Sequence, residues 1–244
     1  MDRLIYIAAT GAKQVMEQQS TTSHNLANLN TTGFRAQIDS FRAVPVQGPS
    51  MPTRTYVLDA TTGADFSQGV VQQTGRPLDV AVKGSGWIAM QAADGSEVYT
   101  RNGGLQVSDV GLLVGEHGLA VAGDAGPITL PPDGRVAIAP DGTVSTMDAR
   151  GVSTAVGRLR LVNPGDGELQ RGDDGLFRTK GGQPAQADAA VTLSPGSLEG
   201  SNVNAVEAMV GMITLARAFD LQMSLLKNAE SNEAKASQIL SMNP

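Results

Sequence analysis

The sequence predicts an α+β protein in which a central, antiparallel, β-rich domain is flanked by long N- and C-terminal helices that form a coiled-coil-like inner domain. Turn-forming residues indicate the central domain, because all but four of the 29 glycines and all but one of the 12 prolines lie between Phe34 and Gly200. Apolar residues at helical spacing indicate the two terminal helices.

The first element is a helix that is predicted to end near Asn28. Thr32 is a poor helix former, and Gly33 favours the left-handed conformation that stops a helix. We therefore place the first helix and its exit turn in residues 1–44, and we expect the Thr-, Pro- and Gly-rich residues 45–68 to form an irregular linker. The apolar positions of the helix are Leu4, Ile7, Ala8, Val15, Leu26 and Leu29.

Residues 69–195 are expected to form the β-rich domain. Because no helical segment separates its predicted strands, they are expected to pair antiparallel. Strand-like runs cover residues 78–82, 87–90, 98–100 and 158–162. Dipeptides that favour tight turns are Asp94-Gly95, Asn102-Gly103, Asp133-Gly134, Asp141-Gly142, Asp166-Gly167 and Asp174-Gly175.

Residues 196–244 contain the second helix, which is predicted from Asn204 to about Ser241. Asn204 can cap this helix, with Glu207 at the third helical position. A spacing of three, four and three residues predicts an apolar packing seam at Val203, Val206, Val210 and Ile213. A helix so much longer than the average of about 11 to 12 residues needs packing partners along its length.

Composition disfavours several classes of function. With two histidines and no cysteine a multi-ligand metal site is not expected, and the net charge of −6 disfavours nucleic-acid binding. The sequence has no run of about 18 apolar residues, so no membrane span is predicted, and its N-terminus lacks the pattern of a secretory signal peptide. Gly84-Ser85-Gly86 would need a following helix to bind a dinucleotide, whereas a strand is expected there. We therefore expect no cofactor.

Two other classes of function stay open on these patterns. The candidate carboxylates of a peptidoglycan-acting glycosidase, which needs a facing pair, are Asp133, Asp141, Asp166, Asp173 and Asp174. Asp before Gly is, however, also what a tight turn favours. In a carbohydrate- or protein-binding β module, the terminal helices would only pair with each other. Their outward faces, however, carry Gln, Ser, Thr, Asn and Ala rather than Lys and Glu. This depletion of charge indicates packing against other chains and therefore a polymer subunit.

Two terminal segments carry recognisable patterns. The N-terminal segment matches at Asn25, Leu26, Ala27, Asn28, Thr32, Gly33 and Phe34, and the C-terminal segment at Leu198, Glu199, Ser201, Asn202, Val203 and Asn204. Residues 75–82 and 99–103 carry further matches. Together these segments resemble the bacterial flagellar axial proteins, the family of rod, hook and hook-associated subunits. The chain departs from the family pattern at His24, where Asn is common, and at Arg35, where Lys is usual.

The resemblance implies a non-catalytic structural subunit of the flagellar basal-body rod. In such proteins the two termini form a helical inner domain that assembles with copies of the chain and with other rod proteins, and the flagellar type III apparatus exports the chain to the periplasm. Val206, Val210 and Ile213 are expected to belong to this assembly surface. The opening residues and the modest length most resemble the proximal rod proteins of the family, and a distal rod or hook-type protein is the alternative.

Overall fold

The structure is a computed structural model that describes residues 2–45, 55–131, 134–148 and 151–241. The chain forms two compact units. The helical unit comprises Met1–Ala27, Gln37–Ala64 and Val203–Pro244, and the β unit comprises Asn28–Ala36 and Asp65–Asn202. The chain therefore enters the β unit twice and leaves it twice, so neither unit is a single continuous segment.

Two long helices occupy most of the helical unit: α1 is Asp2–Ala27 and α2 is Ala205–Ser241. They pack antiparallel, because Gly11 of α1 approaches Gln222 of α2, whereas Thr22 of α1 approaches Gly211. A Cβ added at Gly11 would lie 3.1 Å from Cδ of Gln222, so the two helices are close at this point. The predicted end of the first helix and the predicted start of the second are both confirmed to within one residue.

Buried and half-buried side chains recur along both helices in alternating steps of three and four residues. The buried members, Ala8, Ala12 and Ala229, are all alanine. Because burial contributes about 25 cal/mol per Å² of apolar surface, such small side chains contribute little each. The series is Ile5, Ala8, Ala12, Val15, Gln19, Thr22 and Leu26 in α1, and Ala205, Ala208, Met212, Leu215, Phe219, Gln222, Leu226 and Ala229 in α2.

One helical stretch, Ala205–Asn232, is long and apolar enough to cross a membrane by length and composition alone. This statement holds for the part of the chain that the structure describes. A single stretch of this kind is weak evidence for a span, because helices that pack against other protein surfaces have the same composition. The absence of a membrane span stays a prediction from the sequence.

A β-hairpin completes the helical unit. Strand β1, Gln37–Pro45, pairs antiparallel with β2, Thr55–Ala64, and the register shifts between Ser40 and Phe41. Neither strand was predicted, because residues 1–44 were assigned to the first helix and its exit turn and residues 55–64 to an irregular linker. Threonine is abundant there and was counted as a loop residue, whereas its β-branched side chain also favours extended backbone.

The β unit contains sixteen short strands, and every pairing in its described part is antiparallel, as predicted. The strands are β3 Val71–Gln73, β4 Val80–Lys83, β5 Trp87–Gln91, β6 Glu97–Thr100, β7 Gln106–Val107, β8 Leu113–Val114, β9 Ala120–Gly123, β10 Gly126–Pro127, β11 Arg135–Ile138, β12 Thr143–Met147, β13 Ser153–Arg158, β14 Leu161–Val162, β15 Leu169–Arg171, β16 Phe177–Thr179, β17 Thr192–Pro195 and β18 Ser197–Glu199. A short 3₁₀ helix covers Asp166–Glu168.

One nine-stranded sheet forms the centre of the β unit. Its main path runs β15-β16-β6-β5-β9-β8-β7, with β10 beside β9 and β14 beside β5. Strands β11, β12 and β13 form a second sheet, β17 pairs with β4, and β18 pairs with β3. The core is aliphatic and includes the fully buried Val80, Ile88, Leu113, Val121 and Leu193.

Three of the predicted turn dipeptides form tight turns of one kind. In each, the aspartate carboxylate accepts a hydrogen bond from the backbone N–H two residues on, which stabilises the turn. The pairs are Asp94 with Ser96 (2.9 Å), Asp141 with Thr143 (3.1 Å) and Asp174 with Leu176 (3.1 Å).

The remaining dipeptides have other outcomes. Asn102-Gly103 does not close a hairpin, because the carbonyl of Gly103 accepts a hydrogen bond from the N–H of Val80 (3.0 Å). Asp166-Gly167 lies in the 3₁₀ helix. Asp133 lies outside the described residues.

Candidate functional site

The two terminal signatures meet inside the β unit. The N–H of Gly33 donates to the carbonyl of Glu199 (2.7 Å), and the N–H of Asn202 donates to the carbonyl of Phe34 (3.3 Å). We call Gly33–Ala36 together with Glu199–Asn202 the signature junction. Segments that are far apart in the sequence are thus joined by direct backbone hydrogen bonds.

Glycine is required at the start of this junction. Gly33 has a φ of +68°, in the left-handed region that other residues rarely adopt. A Cβ at this position would lie 2.3 Å from the backbone nitrogen of Asn102, which leaves no room for a side chain. The chain therefore turns at Gly33 and at the same point contacts the segment that follows β6.

The Asn202 amide ties three further backbone groups together. Its Oδ1 accepts a hydrogen bond from the N–H of Ala36 (2.7 Å), and its Nδ2 donates to the carbonyls of Asp65 (2.9 Å) and Ser67 (3.1 Å). An amide side chain can donate and accept at once, so this one residue satisfies backbone groups at the end of the first segment of the β unit, at Ala36, and at the start of the second, at Asp65 and Ser67.

A buried cluster of charges lies under the junction. The carboxylate of Glu199 contacts Nη2 of Arg35 (2.7 Å) and Nη1 of Arg101 (3.0 Å), and it also accepts the N–H of Gly69 (2.9 Å). The three charged side chains are at most 4% exposed. Arg101 Nη2 also donates to the carbonyl of Gly84 (2.7 Å). The cluster therefore connects both signatures to the loop before β5.

One aromatic ring, that of Trp87, lies beside both guanidinium groups. The Cζ atoms of Arg101 and Arg35 lie 5.3 Å and 6.0 Å from the ring centre of Trp87, close enough for cation–π attraction. Trp87 in turn packs against Phe66 and Phe177, at centroid distances of 5.8 Å and 4.5 Å. Burial lowers the pKa of Arg101, although the charge of Glu199 opposes this shift.

Phe34 anchors the chain just after the turn. Its ring is buried, and the Cζ atom of Arg171 lies 4.5 Å from the ring centre. Nη1 of Arg171 also donates to the carbonyl of Arg35 (2.9 Å). Burial lowers the pKa of the Arg171 guanidinium. One arginine of β15 thus holds both the side chain of Phe34 and the backbone of the next residue.

In the helical unit, Asn25 joins the end of α1 to the start of β1. Its Nδ2 donates to the carbonyl of Gln37 (2.9 Å), and its Oδ1 accepts from the N–H of the same residue (2.8 Å). This paired contact has the form of one step of a β-ladder. One turn earlier, the hydroxyl of Thr21 donates to Asp39 Oδ1 (2.9 Å), a second link to β1.

The other signature residues are mostly half-buried. Asn28 accepts hydrogen bonds from Thr31 at both its carbonyl and its Oδ1. Leu26 belongs to the half-buried series of α1, whereas Ala27, the last residue of α1, is exposed. Thr32, Leu198, Ser201 and Val203 are half-buried, and Leu198 pairs with Gln72 of β3.

Asn204 caps α2, as the sequence predicted. Its Oδ1 accepts from the N–H groups of Val206 (3.1 Å) and Glu207 (3.4 Å). The residues that follow differ from the predicted seam, because Val206, Val210 and Ile213 are 71%, 58% and 57% exposed. The face of α2 that meets α1 instead starts at Ala205 and Ala208.

The exposed residues continue as a stripe along α2. Val206, Met209, Val210 and Ile213 lie within two turns on one side of the helix, and we call them the α2 stripe. On α1, Ile7, which had been placed in the predicted seam, is also exposed, as are Tyr6 and Met16. The predicted role of Val206, Val210 and Ile213 in assembly stays a prediction.

Two of the carboxylates considered for glycoside hydrolysis, Asp141 and Asp174, accept hydrogen bonds within their own turns. A glycosidase acid needs a raised pKa. Here the pKa of Asp94 is lowered by the hydroxyl of Ser96, that of Asp141 by the N–H of Thr143, and that of Asp174 by Arg178. In the described part of the chain, no group of three or more metal-ligating side chains lies together. Gly84-Ser85-Gly86 leads into strand β5 rather than a helix, as predicted.

Sequence reasoning missed the partners of Glu199. Arg35 was noted only as a departure from the family pattern, and Arg101 only as part of the matching residues 99–103. Each arginine stands next to a signature feature, which was the available signal. Nothing in the local spacing shows, however, that Arg35 and Arg101 both contact the carboxylate of Glu199 beside Trp87.

Comparison with known proteins agrees with the location of these features. Residues 5–35 match the family model described as "Flagella basal body rod protein", residues 81–146 match "Flagellar hook protein FlgE/F/G D1 domain", and residues 194–239 match "Flagellar basal body rod FlgEFG protein C-terminal". The first and last matches contain the two halves of the signature junction in whole or large part.

Full-length relatives show the same family. The flagellar basal-body rod proteins FlgF of Escherichia coli (strain K12) and Salmonella typhimurium are 48% and 47% identical to the chain, each over 99% of this chain and 100% of the relative. A flagellar basal-body rod protein FlgG of Agrobacterium fabrum is 29% identical over 93% of this chain and 95% of the relative. The chain therefore belongs to the FlgF family of flagellar basal-body rod proteins, which are structural components of the basal body and not enzymes.

Proposed function

We propose that the chain polymerises helically with copies of itself and with other rod proteins, and that the resulting rod transmits motor torque across the periplasm. Under this proposal the helical unit is a coiled-coil-like inner domain, and the flagellar type III apparatus exports the chain before assembly. A heterologous interface whose rotation does not close produces a helical polymer rather than a ring.

The α2 stripe carries this proposal. Its four apolar side chains are each more than half exposed. An exposed row of apolar side chains on a helix is the usual sign of a surface that contacts another protein. The stripe begins at Val206 in the first turn of α2, on a side of the helix that does not meet α1. Neighbouring rod subunits are the occupant that fits, because the chain belongs to a rod-protein family.

The length of the helices also supports assembly. α2 has 37 residues and α1 has 26, so α2 extends well beyond what pairing with α1 can cover. The pair has an alanine-rich contact and therefore little apolar burial of its own. Further burial against neighbours would supply the stabilisation that the isolated pair lacks.

Replacing Ile213 by aspartate tests the proposal. Burying a carboxylate at a protein contact is strongly unfavourable, so Ile213→Asp should reduce incorporation into basal bodies by at least about tenfold. The variant is expressed in a strain that lacks the natural gene, and the chain is quantified in isolated basal bodies together with motility. Fluorescence of Trp87, the only tryptophan, should show a folded β unit.

Ser231→Asp is the matched control, because Ser231 is an exposed residue of the same helix and lies beyond the α2 stripe. It adds the same charge and should leave incorporation unchanged. Normal incorporation of Ile213→Asp would contradict the role of the stripe. Equal loss in both variants would assign the effect to helix charge rather than to a contact surface.

A further inference from the structure

Met209 and Met147 are open to an oxidant, whereas a third methionine is buried and serves for comparison. Met209 lies in the α2 stripe and is 51% exposed, and Met147 lies on β12 and is 44% exposed. Met90 lies in the core of the β unit and is 3% exposed. Solvent contact is a main determinant of how fast a thioether is oxidised. Met209 should therefore react in the unassembled chain, at a rate like that of Met147.

The surroundings of Met209 give its oxidation a consequence that oxidation of Met147 lacks. Val206, Val210 and Ile213 are its neighbours in the stripe, and all three are apolar. A sulfoxide oxygen is a strong hydrogen-bond acceptor, and burying it among apolar side chains without a donor is unfavourable. Met147 pairs with Arg135 and Ser153 across its sheet and lies outside this surface.

We propose that Met209 is an oxidation site that decides whether a subunit can assemble. This inference rests on the proposed function, since it requires the α2 stripe to be buried in the rod. A peroxide is the oxidant: a lone pair of the thioether sulfur attacks one peroxide oxygen, the O–O bond breaks, and the products of hydrogen peroxide are the sulfoxide and water. The sulfur loses two electrons, and the peroxide gains them.

The site distinguishes free from assembled chains. Before assembly the sulfur is open to solvent, and oxidation makes the stripe polar. After assembly the same contact that excludes water also excludes peroxide. A subunit that is oxidised too early is left out of the rod, while an incorporated subunit is protected.

A competition between two chains tests this. Wild type and Met209→Leu are co-expressed in a strain that lacks the natural gene, and growing cells are exposed to hydrogen peroxide while new basal bodies form. Mass spectrometry distinguishes the two chains by the peptide that contains position 209. Peroxide should raise the Leu-to-Met ratio at least about threefold in isolated basal bodies, but not in the total cellular chain.

The sulfoxide itself supplies the internal control. Oxidised Met209 should be depleted from basal bodies relative to the unassembled pool, whereas oxidised Met147 should be present equally in both. An unchanged ratio of the two chains, or Met209 sulfoxide at equal fractions in the two pools, would overturn the proposal. Absence of both chains from basal bodies without peroxide would instead contradict the proposed function.

A sulfoxide mimic gives a second measurement that needs no oxidant. Glutamine has nearly the length of methionine and a polar end, so Met209→Gln should reduce incorporation severalfold and Met147→Gln should not. Full incorporation of Met209→Gln would also overturn the proposal. Since Met209 is exposed in the chain, neither the Leu nor the Gln variant should unfold it.

Discussion

Glu199 is a single carboxylate shared by two buried arginines. Moving these three charges from water into the protein is costly, and the contacts of 2.7 Å and 3.0 Å together with the N–H of Gly69 offset part of that cost. The faces of Trp87 give the excess positive charge a further partner. The cluster thus favours one arrangement of the signature junction more than it favours high stability.

Removing the carboxylate charge should destabilise the β unit strongly. Glu199→Gln leaves two buried guanidinium groups without a counter-charge, so the free energy of unfolding should fall by about 3 to 5 kcal/mol. Chemical denaturation followed by Trp87 fluorescence and by circular dichroism measures this change. Glu168→Gln, at an exposed glutamate of the same unit, should change it by less than about 0.5 kcal/mol. Similar effects of the two substitutions would show that the cluster has no special energetic role.

The β1–β2 hairpin depends on anchors outside its own strands. A two-stranded hairpin is marginally stable in water, so its attachment to α1 matters. Asn25 supplies that attachment by making two hydrogen bonds to one residue, Gln37, and Thr21 adds a third to Asp39. The signature residue Asn25 thus acts as the first pairing partner of strand β1.

The substitution Asn25→Asp keeps one of the two hydrogen bonds between residue 25 and Gln37 and removes the other. A carboxylate can still accept the N–H of Gln37, but it cannot donate to the Gln37 carbonyl and instead repels it. Loss of about 1 kcal/mol should make the amides of β1 exchange with solvent about fivefold faster. Hydrogen exchange followed by mass spectrometry over residues 37–45 measures this. Asn228→Asp, at an exposed position of α2, should leave the exchange of β1 unchanged, and equal exchange in both variants would contradict the role of Asn25.

The elements differ in how far the sequence predicted them. The start of α2 follows from Asn204, because a capping asparagine acts locally, whereas α1 ends at Ala27, six residues before the left-handed Gly33 that marks the next turn. Strand β2 was missed because its threonines are compatible with both a loop and a strand. Pairing with β1 decides for the strand. The face of α2 that packs on α1 was also misplaced, because Ala205 and Ala208 are weakly hydrophobic beside the neighbouring valines. Tertiary contacts decide between such alternatives.

Burial is unevenly divided over the whole molecule. Among the described residues, every large buried aliphatic side chain belongs to the β unit, whereas the buried side chains of the helical unit are those of Ala8, Ala12 and Ala229. The signature junction could be predicted as important from its motifs, but not as a contact, since its two halves join only in the folded β unit. Stability is therefore expected to be concentrated in the β unit and to be low in the helices until the rod forms.

Limited proteolysis of the free chain tests this division. Trypsin should cleave at Arg217 and Lys227 of α2 at least about tenfold faster than at Lys83, an exposed residue held in the paired strand β4. A resistant fragment should retain residues 69–194, because local opening of the helical unit does not expose the aliphatic core. The rates are read from the cleaved peptides by mass spectrometry over time. In isolated basal bodies, cleavage at Arg217 and Lys227 should become as slow as cleavage at Lys83, since neighbouring subunits would then cover α2. Equal cleavage of the three sites in the free chain would mean that the helices are already as stable as the β unit and that their stability does not depend on assembly.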